Sequence, residues 1–267
     1  MLGPNALSLV VDHPSQLPSV IELHAQSSIA PLIFLKINMG GNRAGVVPQS
    51  RVCLDLIASL LDLDTKNTAK LLGLYSHAGQ SYTSTSPADA LNFLRQEFES
   101  LLVTAEAVHS LSPYKSLVLS VGATPTTTSV RNLLIKSDDV STEEATAISV
   151  LRATIEAIKG QKCSIEIHAG VYPTLDIQQL ATKALPTSGP NKQLGWGDLA
   201  FTVMAEVASL YPGRGASEYF FLLTFCISLC WTCFMRYSEM HRIEPCLHVH
   251  KKTSSYQLLL HLSIQFF

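Results

Sequence analysis

Charge is scarce in this chain. Only 15% of its 267 residues are Asp, Glu, Lys or Arg, against roughly 25% in ordinary soluble domains. The 19 basic and 21 acidic residues nearly cancel, leaving a net charge of −2. No run of Lys or Arg occurs, so no nucleic-acid partner is expected. The first residues, MLGPNALSLVVDHP, contain neither a basic start nor a long apolar stretch, so they do not read as a secretory signal. Six cysteines without such a signal point to a reducing compartment and no disulfide framework. Cys53 and Cys163 fall in regular apolar runs and read as reduced thiols.

What the chain has is apolar content, 47% of its residues, arranged in a rhythm. Strand-like runs cover 6–11, 31–37, 71–75, 116–121 and 163–167. Helix-like segments lie between them, at 12–26, 49–63, 86–110 and 141–158. Pro87 falls in a favoured first-turn position. The acidic STEE start of the fourth segment suits a helix N-terminus. Near-continuous apolar strands alternating with helices indicate a parallel sheet covered on both faces or closed into a barrel. The fold class expected is α/β, an incomplete (β/α)8 TIM-type barrel. Such a barrel needs eight strands, and five are visible in the first 170 residues. The rhythm begins almost at residue 1, so earlier units are expected to be missing. Residues 199–211 read as a strand opening a β-rich domain. From residue 219 to 235 there are seventeen residues without charge, fewer than the roughly 20 of a usual membrane span. We expect this segment to be an aberrant tail rather than an anchor, and no membrane partner. The remainder has no clear period.

Polar motifs sit at the ends of the strand-like runs: KINMGGNRAG (36–45), YSHAGQSY (75–82), SVGATPT (120–126) and IHAGVY (167–172). In a parallel α/β fold the strand C-termini form the functional rim. Lys36 and Arg43 lie either side of a Gly-Gly turn and can face one cavity. They can equally be a snorkelling lysine and a surface arginine. His77 is a candidate proton carrier, or a hydrogen-bonded core histidine; Tyr82 adds a hydroxyl. Gly122, Thr124 and Thr126 read as a loop able to cradle phosphate, or as a plain Thr-rich loop. Gly170 and Tyr172 could face the same anion, or form a strand-ending turn with a packed tyrosine.

As an ordered set, these motifs resemble the alanine-racemase-like barrel family of pyridoxal-phosphate enzymes (fold type III), and within it the eukaryotic D-serine dehydratases and D-threonine aldolases. VDHPSQL (11–17), FLKINMGGNRAGV (34–46), YSHAGQSYTSTS (75–86), LSVGATPT (119–126), EIHAGVY (166–172) and AEVASLYPGR (205–214) carry the likeness. The resemblance implies a PLP-dependent D-amino-acid lyase, most closely a D-serine dehydratase forming pyruvate and ammonia. A D-threonine aldolase-type enzyme and a non-catalytic PLP-binding module are the alternatives. It implies that Tyr82, Gly122, Thr124, Thr126, Gly170 and Tyr172 bind the cofactor, supported by Lys36, Arg43 and His77. It implies a small D-amino-acid substrate, a homodimer for the parent enzyme and a cytoplasmic location.

Three departures accompany it. Asn38 stands where the family usually has Asp. Val171 and the PTLD after Tyr172 replace the usual continuation of the last motif. The family's Schiff-base lysine lies on the first barrel strand, and nothing before Met1-Leu2-Gly3 carries it, so no catalytic residue is assigned and the chain is expected to be an inactive fragment truncated at both ends. Zinc in the parent family is held by a His-x-Cys pair. Here Cys246-Leu247-His248 reverses that order, and Cys226, Cys230, Cys233, His241 and His250 match no standard spacing, so no metal ligands are assigned. The domains expected are 1–184, a partial PLP barrel; 185–216, the start of a C-terminal β domain; and 217–267, a hydrophobic tail unrelated to the family.

Overall fold

The computed structural model describes residues 7–135, 139–171 and 175–200 in full, and beyond these the backbone of five strands. The chain divides into two compact units. The first comprises Met1–Tyr172 and Thr182–Gln193, the second Pro173–Ala181 and Leu194–Phe267.

The first unit is built on five parallel strands: β1 (Ser8–Val11), β2 (Leu32–Lys36), β3 (Lys70–Tyr75), β4 (Leu117–Val121) and β5 (Cys163–Ile167). They lie side by side in chain order. Helices α1 (Leu17–Ser27), α2 (Arg51–Thr65), α3 (Pro87–Leu111) and α5 (Thr142–Lys159) connect them, with a short helix α4 (Thr124–Ser129) directly after β4. This is the α/β rhythm expected from the sequence, with element ends displaced by a residue or two, except that the first helix, expected from residue 12, starts at Leu17 after a 3-10 turn over Pro14–Gln16. The long helices start where side chains satisfy their first amides. Ser50, Ser86 and Ser141 accept from the backbone N–H of Cys53, Asp89 and Glu144.

The core joins the inner residues of the sheet to one stripe of each helix. Ile33, Leu35, Leu71, Leu74, Leu117 and Leu119 pack with Leu56, Ile57 and Leu60 of α2 and with Leu91, Leu94, Phe98, Leu101 and Ala105 of α3. Burial of this apolar surface, at roughly 25 cal/mol per Å², is what holds the layers together. Cys53 lies inside this core, where burial pushes its thiol up.

One irregularity sets the register. Between Ile33 and Phe34 the pairing of β2 with β3 skips Leu72, so Lys36 pairs with Tyr75. At the skip, Gly73 passes so close to β4 that a Cβ there would meet the Val118 carbonyl oxygen at 2.0 Å.

The SVGATPTTTS segment differs from its reading as a loop. Thr124–Ser129 is helical, and Thr124, Thr126, Thr128 and Ser129 are buried. The Thr126 hydroxyl accepts from Ala123 N–H at 2.9 Å and so caps the turn itself.

In the second unit, the strand expected at 199–211 is β6 (Val203–Leu210). It belongs to an antiparallel sheet with β7 (Tyr219–Thr224), β8 (Thr232–Arg236), β9 (Leu247–Lys252) and β10 (Ser255–Leu260), in the order β8-β7-β6-β10-β9. Strands thus also occupy the stretch after residue 235, where the sequence has no clear period. Among the described residues, no helix is long and apolar enough to cross a membrane. The side chains of Cys226, Cys230, Cys233, His241, Cys246, His248 and His250 lie outside the described residues.

Candidate functional site

The strand register levels four polar residues. Lys36 pairs with Tyr75, Tyr75 with Ser120, and Ser120 with Glu166. Residues level in adjacent parallel strands share a face, and so do residues two further along. His77 and His168 therefore follow Tyr75 and Glu166 on that side, at the C-terminal rim.

The side chains meet as a stack. Lys36 Nζ lies 4.5 Å from the Tyr75 ring centroid, a cation over a π face. Tyr75 stacks on His168 at 4.4 Å, the planes 8° apart. The His77 and His168 rings lie 6.3 Å apart, 13° from parallel.

Hydrogen bonds fix the imidazole tautomers. The Gly122 carbonyl can only accept, so His77 Nδ1, 2.9 Å away, carries the proton. The Ser120 hydroxyl lies 2.7 Å from Glu166 Oε1 and 3.0 Å from His168 Nδ1. Its single hydrogen goes to the carboxylate, which only accepts, so His168 Nδ1–H donates to Ser120 Oγ. Each ring is left with a bare Nε2. That of His168 is buried and has no hydrogen-bond partner among the described residues.

Burial favours the neutral form of both rings. Burial, with His77 nearby, pushes His168 down to about 4. Burial also lowers His77, and Lys36 and Arg43 add to the effect, against a raising contribution from the Gly122 carbonyl. Lys36 is lowered by burial and by Arg43. Burial raises the Tyr75 phenol.

The turns behind the rim are tied together. Thr124 Oγ1 accepts from Val171 N–H at 3.2 Å, and Thr127 Oγ1 donates to the His168 carbonyl at 2.7 Å. Gly122 adopts φ +144°, and a Cβ there would meet the His168 carbonyl oxygen at 2.0 Å. Glu97 of α3, fully buried, reaches the turns after β3 and β4. The turn after β2 is organised by Asn38, whose Oδ1 accepts from Gly40 and Asn42 N–H and whose Nδ2 donates to Asn42 Oδ1. An aspartate could make the first two bonds and not the third. Gly45 N–H donates to Asp12 Oδ2 at 3.0 Å, tying this turn to the end of β1.

Of the residues singled out from sequence, Lys36, His77 and Gly122 are brought together. Arg43 is exposed and acts on the rim through its charge. Thr124 and Thr126 are buried, their hydroxyls engaged within the fold. Tyr82 sits half-buried in a 3-10 turn over Gly79–Thr83. Gly170 is exposed, with open space where a Cβ would stand. Tyr172 lies outside the described residues. Tyr75, Glu97, Ser120, Glu166 and His168 were not assigned from sequence. A signal for His168 was present: the His-Ala-Gly at 77–79 recurs at 168–170.

The family described as "Alanine racemase, N-terminal domain" matches residues 2–140, more than half of the chain. The chain belongs to this family. It is 36% identical to the D-serine dehydratase of Schizosaccharomyces pombe over 214 residues, 78% of this chain and 43% of that protein. It is 34% identical to the D-serine dehydratase of Saccharomyces cerevisiae over 186 residues, 68% of this chain and 38% of that protein. The chain thus spans less than half the length of these relatives. The D-threonine aldolase of Filomicrobium marinum superposes with a TM-score of 0.53, 15% identity, and 95% of this chain and 56% of that one covered. At that identity the likeness is one of fold, the alanine-racemase-like barrel.

Proposed function

We propose that this chain carries the cofactor-holding rim of a pyridoxal-phosphate-dependent D-amino-acid lyase acting on D-serine to give pyruvate and ammonia. One observation carries the reading: the buried Nε2 of His168, without a hydrogen-bond partner among the described residues, in a stack of parallel aromatic rings with the Lys36 cation over one of them. An unpartnered acceptor in a buried polar site calls for a donor. A flat aromatic ligand with an N–H or O–H to offer and a phosphate for Lys36 and Arg43 to attract matches this donor and acceptor set. The names of the relatives, D-serine dehydratases, support the substrate.

In this reading His77 and His168 hold the ring, each presenting its bare Nε2. Gly122, Thr124, Thr126, Gly170 and Tyr172 shape the phosphate end, with Tyr82 at its edge. Lys36 and Arg43 set the positive potential. Pyridoxal phosphate, when bound, supplies an electron sink that loosens the bonds at a substrate's Cα. Lys36 is engaged over Tyr75 and is not the lysine that bonds the cofactor. A homodimer, zinc and a cytoplasmic location for the parent enzyme belong to the same proposal. So does the functional division of the chain at residues 184 and 216.

Equilibrium dialysis of the purified chain against pyridoxal phosphate tests the reading. Saturable binding is expected, with no pyridoxyl-lysine after borohydride reduction and no pyruvate from D-serine. Absence of binding refutes the cofactor reading. A pyridoxyl group on Lys36 refutes its assigned role.

A further inference from the structure

Helix α3 buries one stripe, running Leu91, Leu94, Phe98, Leu101, Ala105 and Val108. The i, i+3, i+4 spacing of an amphipathic helix explains those positions. Glu97 falls in the same stripe and is 0% exposed. A carboxyl in an apolar stripe is costly unless it is hydrogen-bonded, and Glu97 is bonded four times. Oε1 accepts from Ser76 Oγ at 3.2 Å, Ala78 N–H at 3.0 Å and Gly122 N–H at 3.2 Å. Oε2 accepts from Thr126 Oγ1 at 3.0 Å.

Those four donors come from two separate turns, two from the turn after β3 and two from that after β4. They bracket His77. Ala78 follows it in the chain, and Gly122 supplies the carbonyl that orients its ring. One carboxylate therefore clamps the N–H beside the imidazole and the N–H of the residue that holds the imidazole. Strand alternation allows this, because Ser76 points towards α3 while Tyr75 and His77 point to the opposite face.

We propose that Glu97 is the positioning residue of the rim: from behind the sheet it fixes the turns after β3 and β4, and so sets His77 and the Gly122–Thr126 turn for a phosphate-bearing aromatic ligand. This rests on the cofactor reading above. Glu97 touches no ligand itself. Its function is to add a second tie, from behind the sheet, between two turns that the His77–Gly122 hydrogen bond joins from the front.

Glutamine is the conservative replacement. Its carbonyl can keep the three bonds to Oε1. Its amide can donate to Thr126 Oγ1, whose own hydrogen then goes to the Ala123 carbonyl at 3.1 Å. Leucine keeps the volume and removes every acceptor.

The test compares pyridoxal phosphate with pyridoxal, which lacks the phosphate, by equilibrium dialysis against the wild-type chain, Glu97→Gln and Glu97→Leu, with folding followed by circular dichroism. Loss of the acceptors for four donors predicts that Glu97→Leu weakens pyridoxal phosphate about tenfold or more, and pyridoxal much less. Glu97→Gln should lose only about two- to fivefold. A purely structural role would lower stability and leave the ratio of the two affinities unchanged. A folded Glu97→Leu with wild-type affinity for both overturns the proposal.

Should Glu97→Leu not fold, Glu97→Gln decides through its amide spectrum. Displaced Ala78 and Gly122 resonances together with weaker pyridoxal phosphate binding support the clamp. Displaced resonances with unchanged affinity, or resonances that do not move, overturn it. A wild-type chain that binds no pyridoxal phosphate removes the cofactor reading and this proposal with it. A wild-type chain that binds while the Glu97 variants are indifferent removes this proposal alone.

Discussion

At Glu97 burial pushes the carboxyl up to about 7, and its hydrogen bonds to Gly122, Thr126, Ser76 and Ala78 act against that rise. The consequence for stability has a definite sign. The unfolded carboxyl releases its proton near 4.5, while the folded one keeps it towards neutral pH. Between those values the native state holds more protons, so stability falls as pH rises, by on the order of 1–3 kcal/mol in total. Protonation is accommodated locally: a proton on Oε2 can donate to Thr126 Oγ1, whose hydrogen turns to the Ala123 carbonyl. Thermal melts should therefore show wild type losing ground to Glu97→Gln as pH goes from 5 to 8; parallel curves would contradict the account. Gly122 gives a second residue-scale prediction. With φ +144° and the His168 carbonyl where a Cβ would be, Gly122→Ala should cost at least about 1–3 kcal/mol in denaturant unfolding. A neutral result would mean that the β4 and β5 turns do not approach as described. The signal for Glu97 was open to sequence reading: it is the one charged residue on the α3 stripe. It lies in a helix interior, away from the strand-end motifs where the polar residues cluster.

The long helices were legible because their chemistry is local. Helices α2, α3 and α5 each have a serine that caps their first amides and an apolar repeat that finds the sheet. Helix α4 was not. Its residues, TPTTTS, are poor helix formers by propensity, and hydroxyls after a glycine suggested a loop. The helix forms because Thr126 spends its hydroxyl on the fold, accepting from Ala123 N–H and reaching Glu97 Oε2. Thr126→Val keeps the shape and deletes that hydroxyl. It leaves the Ala123 amide without an acceptor and removes one donor from Glu97, so it should lower stability by about 1–3 kcal/mol. Chemical denaturation measures it, and an unchanged midpoint would return Thr126 to the role of an exchangeable loop residue.

At the scale of the molecule, the order of five parallel strands followed from the alternation of apolar runs. The site's geometry did not, because it depends on one skipped residue. Without the irregularity at Ile33/Phe34, Lys36 would lie level with Leu74 instead of Tyr75. The row of Lys36, Tyr75, Ser120 and Glu166, with His77 and His168 beyond it, exists only in the shifted register. Motif order pointed to the rim and to Lys36, His77 and Gly122; register, burial and tautomers supplied Tyr75, Ser120, Glu166 and His168. The chain spans 43% of the Schizosaccharomyces pombe relative, so what it does as written is a question about the rim. Equilibrium dialysis of the purified chain against pyridoxal phosphate, with inorganic phosphate as competitor, puts that question most directly. The account predicts saturable binding that phosphate displaces and that borohydride does not make covalent. Binding that never saturates, or that phosphate leaves untouched, would contradict it.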